Sequence, residues 1–116
     1  MASNTEQREV AVLVARDDLS MTRASCAAGE QMTKPHLHHE HTDAFYVLEG
    51  ELTFEIGRET TTVGAGGFVA VPPNIAHSFR NAGAEPARWL TIHAPDAGFA
   101  AFISGTAVEW DVSAAG

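Results

Sequence analysis

A chain of 116 residues, 45% hydrophobic and 19% charged, has the composition of one globular domain rather than of a disordered segment or two domains. Fifteen acidic residues against seven scattered basic ones (Arg8, Arg16, Arg23, Lys34, Arg58, Arg80 and Arg88) give a formal charge of −8, which argues against a nucleic-acid partner. The apolar runs are too short to span a membrane, and MASNTEQREV lacks the basic start and apolar core of a signal peptide, so a soluble cytoplasmic protein is expected.

Short apolar or alternating runs predict strands at residues 9–15 (EVAVLVA), 21–28 (MTRASCAA), 44–50 (AFYVLEG) and 51–57 (ELTFEIG). Others follow at 60–66 (TTTVGAG), 67–71 (GFVAV), 77–81 (HSFRN) and 88–94 (RWLTIHA). Between them, Glu49-Gly50, Ile56-Gly57-Arg58, Gly64 to Gly67, Pro72-Pro73-Asn74 and Ala82-Gly83-Ala84 supply turn chemistry. Leu52, Phe54 and Ile56 alternate with Glu51, Thr53 and Glu55, the pattern of a strand with one wet face. Ala44 to Leu48 is apolar on both faces and is expected to be covered on both, a partner subunit being one candidate cover. A helix is predicted over Asp96 to Ile103, with Phe99 and Phe102 three apart, and Trp110 in the polar tail is expected to dock on the body. Cys26, the single cysteine, lies among small residues and reads as a buried inert thiol. Many short strands with regular turns indicate an all-β antiparallel sandwich or small barrel as one domain over residues 1–116.

Four of the six histidines, His36, His38, His39 and His41, crowd into PHLHHEHTDAFYVLEG, residues 35–50. On a strand, side chains two apart face the same way with Cα atoms about 6.5–7 Å apart. His36 and His38 can therefore converge on a metal at about 2.0–2.2 Å, while His39 points away. Asp43 shares the parity of Phe45 and Val47, and His77 that of Phe79. Three histidines and a carboxylate from three strands make a mononuclear metal site; the competing reading is a solvated loop that happens to be rich in histidine.

These residues resemble the cupin superfamily. Its first pattern, H-x-H, three or four residues, Glu, six residues, Gly, corresponds to His36-Leu37-His38, Asp43 and Gly50. Its second, G-x5-P-x-G-x2-H-x3-N, corresponds to Gly66, Pro72, His77 and Asn81 in register. The resemblance implies a double-stranded β-helix (jelly-roll) barrel and one divalent transition metal per chain (Fe, Ni, Mn, Cu or Zn) on His36, His38, Asp43 and His77. It also implies a homodimer.

Two positions depart from the pattern. Asn74 stands for the motif glycine, and Asn tolerates positive φ. Asp43 stands for glutamate and is about 1.5 Å shorter in reach, so either it ligates directly or it acts through a bound water as a general base.

Phe45, Val47, Phe54 and Phe79 would wall an apolar pocket, or serve only as core. His93 ends a strand, as a catalytic acid or base at the barrel mouth or as a structural residue; the role of His41 stays open. The stretch LTIHAPDAGFAAF is similar to the corresponding region of small cupins resembling quercetin 2,3-dioxygenases. That resemblance implies a metal-dependent dioxygenase for a small aromatic or enolisable substrate. A non-catalytic sensor or carrier cupin, a metal-dependent isomerase or lyase, and a barrel working only with a partner protein are the alternatives.

Overall fold

A computed structural model describes residues 9–107 and 109–115. Its strands are β1 (Glu9–Ala15), β2 (Ser20–Cys26), β3 (His36–Leu37), β4 (Thr42–Glu49), β5 (Glu51–Ile56), β6 (Glu59–Gly64), β7 (Phe68–Val71), β8 (His77–Arg80), β9 (Ala87–Ala94) and β10 (Ser113–Ala114). The helix α1 (Phe99–Ile103) follows β9. Period-two burial marks the faces: Ser20, Thr22, Ala24 and Cys26 are all buried along β2, and Ala87, Trp89, Thr91 and His93 along β9.

The strands form two five-stranded sheets, ordered β1-β2-β9-β4-β7 and β10-β3-β8-β5-β6, with antiparallel pairing throughout the described residues. Phe45, Val47 and Trp89 from one sheet pack on Leu52, Phe54 and Phe79 from the other, and Cys26 is buried in the same core. This is the expected all-β double-stranded β-helix.

Two turn positions show why their residues suit the bend. Gly50 has φ +73°, and a Cβ there would meet the Pro86 carbonyl oxygen at 2.5 Å. Asn74 takes φ 69°, the left-handed conformation required of the residue that replaces the motif glycine, and its N–H donates to the His38 carbonyl.

Three features refine the sequence reading. The helix is shorter than 96–103, because Asp96 instead caps it, accepting from the N–H groups of Gly98 and Ala100. Ala44 to Leu48 has a buried inner face at Phe45 and Val47, while on its outer face Tyr46 and Leu48 are 38% and 36% exposed within the single chain. The tail forms an unforeseen strand, β10, in which Ser113 pairs with Leu37 and Ala114 with His36. Among the described residues no helix is long and apolar enough to cross a membrane.

Candidate metal centre

Strand pairing brings the sequence-distant residues together. His36 on β3 lies directly opposite His77 on β8, and Asp43 on β4 lies opposite His93 on β9. The rings of His36 and His77 are 4.4 Å apart, those of His36 and His38 4.9 Å, and those of His38 and His77 5.1 Å. One ligand atom from each of His36, His38, Asp43 and His77 lies within 4.8 Å of every other.

The hydrogen bonds determine which ring nitrogen is free. Nδ1 of His36 donates to the Lys34 carbonyl (2.7 Å), Nδ1 of His38 to the Asp111 carbonyl (2.7 Å), and Nδ1 of His77 to the Ile75 carbonyl (2.9 Å). A nitrogen facing a carbonyl must carry the proton, so each neutral ring keeps its lone pair on Nε2. That is the orientation a metal-binding imidazole needs.

The carboxylate of Asp43 meets two of these lone pairs. Its Oδ2 is 3.2 Å from Nε2 of His38 and 3.2 Å from Nε2 of His77. Carboxylate oxygens and unprotonated ring nitrogens are all acceptors, so a proton or a cation must lie between them. The shorter side chain thus still reaches the imidazoles. The donor chemistry fits a divalent transition ion.

Electrostatics agree with this arrangement. Burial alone would raise the Asp43 carboxyl, but the imidazoles of His38, His77 and His93 outweigh it and hold the group well below the usual carboxylate range. Burial pulls His77 down, yet its contacts with Asp43 and the Ile75 carbonyl prevail and raise it. His36 is lowered, chiefly by burial.

His93, 2% exposed, places Nε2 3.2 Å from Asp43 Oδ1, a close contact off the line of a hydrogen bond. His41 also points inward, at 1% exposure, although β4 begins only at Thr42. His39 is exposed and bonds Asn74 Oδ1 and Ser113 Oγ.

Of the residues expected to wall a pocket, Phe45 and Phe79 line a cavity of about 180 Å³ with His36, Asp43 and His93. Val47 and Phe54 do not line it; both are fully buried in the core beneath. The period-two pattern identifies inward-facing residues but cannot say how far along the barrel axis each one lies.

Trp110 docks on the body as expected, and the tail beside it adds a residue that the sequence reading did not single out, Asp111. Trp110 rests on the rings of His38 (5.0 Å), His93 (5.5 Å) and His41 (5.7 Å), with Phe99 of α1 beside it at 4.8 Å. Asp111 is a clasp. Its carboxylate accepts from the N–H groups of His39 (2.9 Å) and Glu40 (2.6 Å) and from Nδ1 of His41 (2.9 Å), while its carbonyl holds His38. No periodic signal in the polar tail marks Asp111 for this role.

The chain is 40% identical over 45 residues to quercetin 2,3-dioxygenase of Bacillus subtilis (strain 168), a match spanning 39% of this chain and 13% of that protein. A structure from Acidithiobacillus ferrooxidans ATCC 23270, provisionally named a sugar phosphate isomerase, matches with TM-score 0.68 and 30% identity over 75% of this chain and 58% of that one. TT1209 from Thermus thermophilus matches with TM-score 0.71 and 25% identity over 82% of this chain and 90% of that one. The Cupin domain profile matches residues 23–93, which hold both histidine-bearing segments, and on that ground the chain belongs to the cupin family.

Proposed function

We propose that the protein is a metal-dependent cupin enzyme, a dioxygenase acting on a small aromatic or enolisable substrate. The observation that carries this reading is the convergence of Nε2 lone pairs from His38 and His77 on the buried Asp43 carboxylate, at the edge of an apolar cavity. His36, His38, His77 and Asp43 would hold one divalent ion, with Fe, Ni, Mn, Cu and Zn all compatible with imidazole and carboxylate. Such an ion supplies Lewis acidity that lowers the pKa of a bound enol or phenol oxygen.

The chain's own groups do the rest. Asp43 Oδ1 lies on the His93 side of the carboxylate, so a proton taken from the substrate hydroxyl has His93 Nε2 as its next partner, 3.2 Å away. Phe45, Phe79 and Trp89 give a planar substrate its walls, and Phe99 and Trp110 keep water from the reacting atoms. A cavity of about 180 Å³ suits a single ring better than a fused-ring substrate, since an apolar void of roughly 150 Å³ holds benzene.

The likeness to the provisional sugar phosphate isomerase supports a second reading, an isomerase or lyase on the same site. Against a phosphorylated substrate, the described cavity lining contains neither lysine nor arginine. Oxygen dependence decides between the two. Metal-loaded protein screened with single-ring phenols and enols is expected to consume O2 in step with substrate, and to stop under nitrogen. Turnover undiminished without oxygen would assign the isomerase or lyase reading, and tight binding with no turnover a sensor or carrier.

The expected homodimer finds support on the outer face of the first sheet. Leu90, Tyr46 and Phe68 adjoin in one cross-strand row, with Phe68 58% exposed and Tyr46 38%. A second copy of the chain covers this face in our reading. Sedimentation velocity should then give a dimer, and Phe68→Glu a monomer that keeps its metal. A monomeric parent protein at micromolar concentration would rule out the dimer.

A further inference from the structure

The four-ligand set leaves two buried imidazoles beside it without a ligand role. His41 and His93 are buried, and their rings lie 4.8 Å apart. His41 Nδ1 donates to the Asp111 carboxylate, which leaves Nε2 with a lone pair that meets no partner. His93 Nδ1 is likewise buried with no partner. Leaving a buried polar atom unsatisfied costs about 1–3 kcal/mol, so two neighbouring ones call for a physical reason.

A third imidazole completes the arrangement. The His38 ring lies 4.1 Å from that of His41, and one ligand atom from each of His38, His41 and His93 lies within 4.8 Å of the others. The Asp111 carboxylate behind His41 has the geometry that orients metal-binding histidines. Trp110 covers all three rings.

We infer that His38, His41 and His93 form a second divalent-metal position beside the four-ligand one. The two positions share His38, whose Nδ1 is committed to the Asp111 carbonyl. Its single free lone pair serves one ion at a time, so the positions are alternatives and not a dinuclear pair. They differ in chemistry. Three neutral imidazoles suit Zn, Cu or Ni, whereas ions that favour oxygen ligands, such as Mn, gain from the carboxylate in the other set. Zn(II) and Cu(II) therefore have a resting place under Trp110 that Mn(II) lacks.

The test removes the four-ligand set first. In the His36→Ala/His77→Ala protein, with folding checked by circular dichroism, Zn(II) affinity is measured against a chromogenic chelator. The double variant is expected to bind one Zn(II), and adding His41→Ala should weaken binding by more than about tenfold, the least that losing even an outer partner of a metal site costs. Equal Zn(II) affinity with and without His41, or no Zn(II) bound by the folded double variant, would overturn the inference. Should the alanine pair fail to fold, the glutamine pair at His36 and His77, closer in volume, is measured in the same way. Parent-protein affinity that survives both substitutions unchanged would count against the four-ligand site and leave the second position standing.

Discussion

Alanine at His77 is expected to lower metal affinity by at least about a hundredfold, beyond the 10–100-fold that loss of an outer partner costs. His77 contributes a lone pair held in place by the Ile75 carbonyl, and it is the only ligand carried by β8. No described neighbour on that strand can replace it. Elemental analysis of untagged protein, prepared without nickel resin or chelator, should find about one divalent ion per chain in the parent and far less in His77→Ala. Weak residual binding would report the three-imidazole position, and His41→Ala in the same chain should then remove it.

Asp43→Ala belongs beside it. Its Oδ2 is 3.2 Å from two ligand nitrogens, so direct ligation predicts a clear fall in affinity. An unchanged affinity would make Asp43 a neighbour that handles protons without holding the ion. A parent protein that takes up no ion even after reconstitution would defeat the metal-enzyme reading altogether.

The second large effect is expected at a residue that touches no proposed substrate. Asp111→Ala removes three hydrogen bonds to the segment from His39 to His41 and frees the tail whose carbonyl orients His38. Each bond to a carboxylate contributes roughly 1.5–3 kcal/mol, although the three act together and do not add. Two results should appear together: a lower unfolding temperature, and metal affinity reduced by about 10–100-fold through misoriented His38. Asp111→Asn, which keeps one carbonyl oxygen, should lie between parent and alanine. Trp110 reports the tail independently, because its indole leaves the histidine rings when the clasp opens. A released tail with undiminished metal affinity would show that the clasp stabilises the fold without positioning His38.

The contrast between Asp43 and Asp111 shows what could be read from the chain. Asp43 shares a face with Phe45 and Val47 because side chains alternate along a strand, and all three are buried. The shared face of His77 and Phe79 follows from the same local rule, whereas His38 lies just past the end of β3 and still turns inward beside His36. His41 lay just before β4, where alternation no longer applies, and its burial came from the loop path. Val47 and Phe54 face inward as their parity requires, but they pack below the cavity.

By itself the sequence determined most of the strands, their inward faces and the four candidate ligands, since each depends on spacings of a few residues and on side-chain chemistry. Only the tertiary structure decided that Asp111 would meet His38 across 73 residues, and that Trp110 would roof the histidines. It also showed that the cavity is small. Those outcomes depend on where a closing barrel leaves its last strand and on the depth at which each inward side chain comes to rest. Neither quantity is written in a period of two.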